Sequence, residues 1–143
     1  MDAIGTTKAE MQHRTLLILW SAFLMTIVMY VFLTFVMPQP DTAANRTLTV
    51  VFSAISVLLV GLSFVIKKKF FARAAAEQQV SFVTTGFILA MALCEVGGLL
   101  GLVDFMVAHD RYFYLLMAIS FIGIALHFPK RQDLEAASFK KIG

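Results

Sequence analysis

The stretch Val80-Ser-Phe-Val-Thr-Thr-Gly-Phe-Ile-Leu-Ala-Met-Ala-Leu-Cys-Glu-Val-Gly-Gly-Leu-Leu-Gly-Leu-Val103 carries one charged side chain, Glu95, in 24 residues. As a helix it rises about 36 Å, enough to cross a hydrocarbon core of roughly 30 Å. Three further stretches flank it: 16–37, 48–66 and 112–128, of 22, 19 and 17 residues, with no Asp, Glu, Lys or Arg in any of them. Backbone polar groups in lipid must be satisfied within each segment, so these read as helices. The period-2 alternation of a membrane barrel is absent. The expected fold is all-α: one polytopic membrane domain over 1–143, with four transmembrane helices in an antiparallel bundle.

Composition agrees. The 143 residues are 59% hydrophobic and 15% charged, whereas soluble domains average roughly 45–50% and 25%. That excludes a soluble domain and a disordered chain, and a net charge of +3 does not make a nucleic-acid binder. The single cysteine, Cys94, leaves no intrachain disulfide to form. The first segment exceeds the length of a signal-peptide core, so it reads as a retained helix.

Charge placement gives orientation. Lys8 and Arg14 precede the first segment; Lys67, Lys68, Lys69 and Arg73 lie in the loop 67–79; Lys130, Arg131, Lys140 and Lys141 follow the last segment. Only Arg46 and Arg111 occupy the opposite loops. The positive-inside rule then puts both termini and the basic loop in the cytoplasm of an inner (plasma) membrane protein. The loop is rich in helix formers, so the second and third helices should project there as a short hairpin. Prolines in Pro38-Gln39-Pro40-Asp41, and Pro129, mark the ends of the first and fourth helices. The tail from Lys130 reads either as a solvated face or as a docking segment.

The third helix carries the only readable chemistry. At 100° per residue, Gly86, Ala90, Cys94, Gly97 and Gly101 share an arc of about 80°, a small-residue stripe that lets a neighbouring helix approach closely. Glu95 lies about 140° from the centre of that stripe. A charged carboxylate at this depth costs about 2.5–3.5 kcal/mol or more, so it should be protonated or paired. No Lys or Arg inside another segment can pair with it. Counting depth from the cytoplasmic side brings Tyr30, Ser53, Ser56 and Ser120 near its level, and at least one of these hydroxyls should hydrogen-bond Glu95. Asp104, His109 and Asp110 read as loop polarity and His127 as an interfacial residue. His13, His109 and His127 fall on different elements, so no metal site is expected, nor any other cofactor. No nucleophile–base pair is readable, and an enzyme assignment has no support.

Residues 87–103 resemble the carboxylate helix of rotary ATPase proteolipid (ring) subunits, through Phe87-Ile88, Ala92-Leu93, the central Glu95 and Gly101-Leu102-Val103. The resemblance implies that Glu95 carries the translocated ion, and Val96, in place of a hydroxyl, implies protons. The leading expectation is a protonatable intramembrane Glu95 with a proton-linked role, in translocation or in a membrane energy-transducing complex. The alternatives are a non-catalytic accessory or assembly subunit and a small dimeric proton-coupled exporter. The expected partners are the lipid bilayer and either further copies of the chain or a larger membrane complex.

Overall fold

The computed structural model describes residues 2–38 and 43–138. Gln39–Thr42, which include Pro40 and Asp41 of the first helix stop, lie outside them, as do Lys140 and Lys141. Every regular element among the described residues is helical: α1 (Asp2–Val36), α2 (Arg46–Glu77), α3 (Val80–Val107), α4 (Phe113–Leu126) and α5 (Arg131–Ser138). α1, α2 and α3 are each long and apolar enough to cross a membrane. α4 is not: its 14 residues rise only about 21 Å. A fourth span exists only if α4 and α5, bent by 54° at their junction, count as one. Thus 112–128, read as one unbroken helix, is shorter than expected; the chain turns at His127, ahead of Pro129, which cannot continue a helix.

Local chemistry sets the ends. Asn45 caps α2 by accepting from the Leu48 N–H at 3.2 Å, one of the four donors a helix start leaves unpaired. α2 continues through the basic stretch to Glu77, and Gln78 ends it in the left-handed region at φ 53°. Gln79 then opens α3, so the loop of 67–79 is mostly helix, closed by a two-residue turn. The Gln78 side chain donates to Ala136 O at 3.2 Å, and His13 Nε2 donates to Pro129 O at 3.2 Å. The hairpin turn, the early part of α1 and α5 therefore meet at one end. The Asn45 N–H donates to Ala108 O at 2.7 Å at the other.

α5 is absent from the sequence reading. Its two apolar anchors, Leu134 and Ala137, are buried in the same core cluster as Leu16, Ala74 and Val83. α5 is thus docked on the body through these two residues. Lys67, read from the sequence only as an orienting charge, is half-buried and directed at His127 O, 3.4 Å away.

α3 is the central element. In its most apolar window 44% of residues are buried, against 11% in α1 and 17% in α2. All five residues of the small-residue stripe are buried, and the neighbours sit directly on the glycine backbone. A Cβ at Gly86 would collide with Phe70 Cβ, while one at Gly101 would lie 3.2 Å from Phe113 O. Gly61, by contrast, faces open space. Phe70 Cβ is fixed to its backbone and cannot swing aside. Gly86→Ala should therefore destabilise the α2–α3 pair by about 1–3 kcal/mol. Gly61→Ala should leave stability unchanged or raise it by up to about 1 kcal/mol. Unfolding in mild detergent, followed for both variants, checks the contrast; equal stabilities would mean that α2 and α3 do not meet at Gly86.

Candidate functional site

Glu95 stands near the middle of α3, where the seam with α1 begins. On its face of α3, Ile88 and Leu99 are exposed while Met91 is fully buried. Glu95 itself is neither buried nor fully exposed. Tyr30 of α1 donates its hydroxyl to Glu95 Oε1 at 3.4 Å, long for an O–H···O bond, whose usual range ends near about 3.0 Å. Among the described residues no lysine or arginine pairs with Glu95. The site is one carboxylate and one phenol, set between two helices, with the carboxylate partly exposed.

Tyr30 is the one of the four expected hydroxyls that hydrogen-bonds Glu95 among the described residues. Ser56 and Ser120 instead face Gly97: a Cβ there would lie 2.7 Å from Ser56 Oγ and 2.6 Å from Ser120 Oγ. Gly97 is two residues beyond Glu95, about 200° further round the helix. The serines have the depth expected of them and the opposite side of α3. Ser53 is only partly buried and forms no hydrogen bond with Glu95. The missing side chain at Gly97 is what admits both serines.

Two buried polar groups escaped the reading as chemistry. Asp104, expected just beyond the third helix, lies inside α3 and is fully buried. It accepts from Thr49 Oγ1 at 2.9 Å through Oδ1, while Oδ2 has no protein partner. His127, expected at the interface, is also fully buried. Its Nδ1 lies 2.6 Å from Gly123 O and its Nε2 lies 3.3 Å from Ser63 Oγ, which also accepts from the Cys94 thiol at 3.4 Å. A signal for both was present in α2: Thr49, Ser56 and Ser63 recur every seven residues, the spacing that keeps one helix face toward its partners. No group of three or more His, Cys, Asp or Glu side chains gathers at a point among the described residues.

No known protein family, characterised protein or solved structure matches the chain. The geometry alone has to carry any functional reading.

Interhelical hydrogen bonds of this kind average about 0.6 kcal/mol in membrane proteins. A double-mutant cycle of Tyr30→Phe and Glu95→Gln, read by unfolding in detergent or bicelles, should give a coupling of about 0.5 kcal/mol or somewhat more. Strictly additive effects would show that phenol and carboxylate do not interact.

Proposed function

We propose that this chain is a small integral membrane protein in which Glu95 binds and releases a proton within the bilayer. The observation that carries the reading is the partner of Glu95: a phenol at 3.4 Å rather than a cation. A carboxylate at this depth without a cation beside it can exchange a proton where one side stays open. Ion pathways and proton relays are the usual setting of such residues. Its role would be in translocation or within a larger energy-transducing membrane complex.

The proposed topology has four spans in an antiparallel bundle, with α4 and α5 together as the last and both termini in the cytoplasm. Two features support it. The early part of α1, the hairpin turn and α5 converge at one end, and that end holds Arg14, Lys67, Lys68, Lys69, Arg73, Lys130 and Arg131. The two-residue turn between α2 and α3 is also what a ring-subunit-like hairpin needs. The outward side chains of α1 and α2, among them Phe32, Phe35 and Leu58 at 62%, 73% and 72% exposed, suit lipid, and they also suit a second copy or a partner subunit.

The test is chemical. A hydrophobic carbodiimide should modify Glu95 in membranes, with labelling lost at high pH and absent in Glu95→Gln. Peptide mass spectrometry of the labelled protein reads this out. If Glu95 resists modification at every pH tested, the carboxylate is a structural hydrogen-bonding group, and the accessory-subunit reading replaces this one.

A further inference from the structure

Charges at the basic end of the bundle are unequally matched. Its acidic side chains face partners within the chain. Glu77 pairs with Arg73 at 2.6 Å, Glu135 with Arg131 at 2.9 Å and Glu10 with Arg131 at 3.5 Å, while Asp133 lies close to Lys67. Arg14, Lys68, Lys69 and Lys130 are exposed and form no ion pair among the described residues. These charges also share one level. Arg14 stands two residues before the charge-free stretch 16–37, Lys68 two residues after 48–66, and Lys130 two residues after 112–128. That is the level of lipid headgroups, just outside the hydrocarbon core.

On one side of this end, α1 and α5 enclose a cavity of about 260 Å³, lined by Glu10, His13 and Arg14 of α1 and by Arg131 of α5. The i, i+3, i+4 spacing puts the three α1 side chains on one helix face. His13 fixes that face against the start of α5, because its Nε2 donates to Pro129 O at 3.2 Å. Pockets for drug-sized ligands run to roughly 300–1,000 Å³. This smaller space suits one compact group.

Two guanidiniums against one carboxylate select an anion. A guanidinium offers paired N–H donors that match phosphate oxygens, and Arg14 has no acid to meet them. The Glu10–Arg131 pair is long, and both its side chains are more than half exposed, so little is lost when it opens. Arg131 keeps Glu135 in that event. The surroundings favour a lipid as the source of the phosphate. Ile18 and Met25 are exposed and continue the Arg14 face of α1 into the apolar stretch, a track for an acyl chain beneath its own headgroup. Ser21, on the same face, donates its hydroxyl to Ile18 O and so needs no water there. A zwitterionic headgroup would bring its own cation towards Arg14 and Lys130. An anionic one would not.

We propose that the cavity between α1 and α5 binds the phosphate of an anionic phospholipid, with Arg14 and Arg131 as its ligands and Glu10 displaced from Arg131. Because Arg131 opens α5, the bound lipid clamps α5 to α1. The site uses neither Glu95 nor Tyr30 and stands or falls apart from the proton reading.

The test uses the full chain in phosphatidylcholine bicelles titrated with phosphatidylglycerol, with the thermal unfolding midpoint followed. The midpoint should rise and saturate. Arg14→Gln should weaken the apparent affinity about tenfold or more, as for a charged hydrogen-bonding partner. Lys68→Gln removes the same charge at the same level and should change it by less than about threefold at physiological salt. Glu10→Gln should strengthen binding. Arg14 makes no ion pair among the described residues, so its variant should match the parent midpoint in pure phosphatidylcholine. Equal losses for Arg14→Gln and Lys68→Gln would mean diffuse attraction and overturn the site. So would a parent midpoint indifferent to phosphatidylglycerol, or a Glu10→Gln variant that binds no more tightly. Inorganic phosphate without phosphatidylglycerol should leave the midpoint unchanged; a saturable rise there would assign the cavity to a soluble phosphate and overturn the lipid.

Discussion

Close approach to the backbone of α3 is the constraint on which the rest of the molecule depends. Within lipid, apolar side chains gain nothing by leaving one hydrocarbon surface for another, so helices associate through packing and hydrogen bonds. Gly86, Ala90, Cys94, Gly97 and Gly101 supply a face without bulk, and Phe70, Ser56, Ser120, Met117 and Phe113 fill it. With that face taken by α2 and α4, the side of α3 that holds Gly98 and Glu95 is left to α1. Ile27 sits over Gly98 and Tyr30 reaches Glu95. The location of the carboxylate is therefore a consequence of where the glycines are.

Polarity follows from the same solvent. Phe35 of α1 and Leu58 of α2 are 73% and 72% exposed, while Ser56 and Ser63 of α2 are 0% exposed. A soluble bundle would reverse this order. Hydrocarbon cannot satisfy a hydroxyl, so hydroxyls turn inward and apolar side chains turn out. Trp20 behaves likewise: its indole N–H donates to Ile124 O of α4 at 2.8 Å, and its ring stacks edge-on against Phe128. An aromatic of the kind that favours the headgroup level here ties α1 to the last turn of α4, a terminus whose carbonyls need donors.

The long helices were legible because a charge-free run of membrane length permits little else. Glu95 was legible because it breaks such a run. Depth was readable too, since rise per residue is constant, and Tyr30 was correctly levelled with Glu95. The facing of a side chain was not. Ser56 and Ser120 reach the right height on the wrong side of α3, because facing depends on how helices rotate against one another. α5 was invisible for another reason. Its anchors are only Leu134 and Ala137 in a charged octapeptide, too few to distinguish docking from solvation before the receiving surface is known. Asp104 was judged by its nearness to a loop, yet α3 extends four residues beyond Val103 and carries it inside.

The two carboxylates of α3 therefore differ in kind. Glu95 has an open side and one long hydroxyl contact, so its charge can be relieved by reaching toward water or a partner. Asp104 is enclosed, with one hydrogen bond satisfied and one oxygen unpaired. An enclosed carboxylate without a cation cannot hold its charge cheaply, and an unpaired oxygen beside it makes the neutral acid poorly served as well. Neither protonation state is comfortable without a further polar neighbour. Thr49 is one such neighbour, and the buried Asp110 ahead of α4 is another acidic group close by. That constraint on Asp104 would stand even if Glu95 were purely structural.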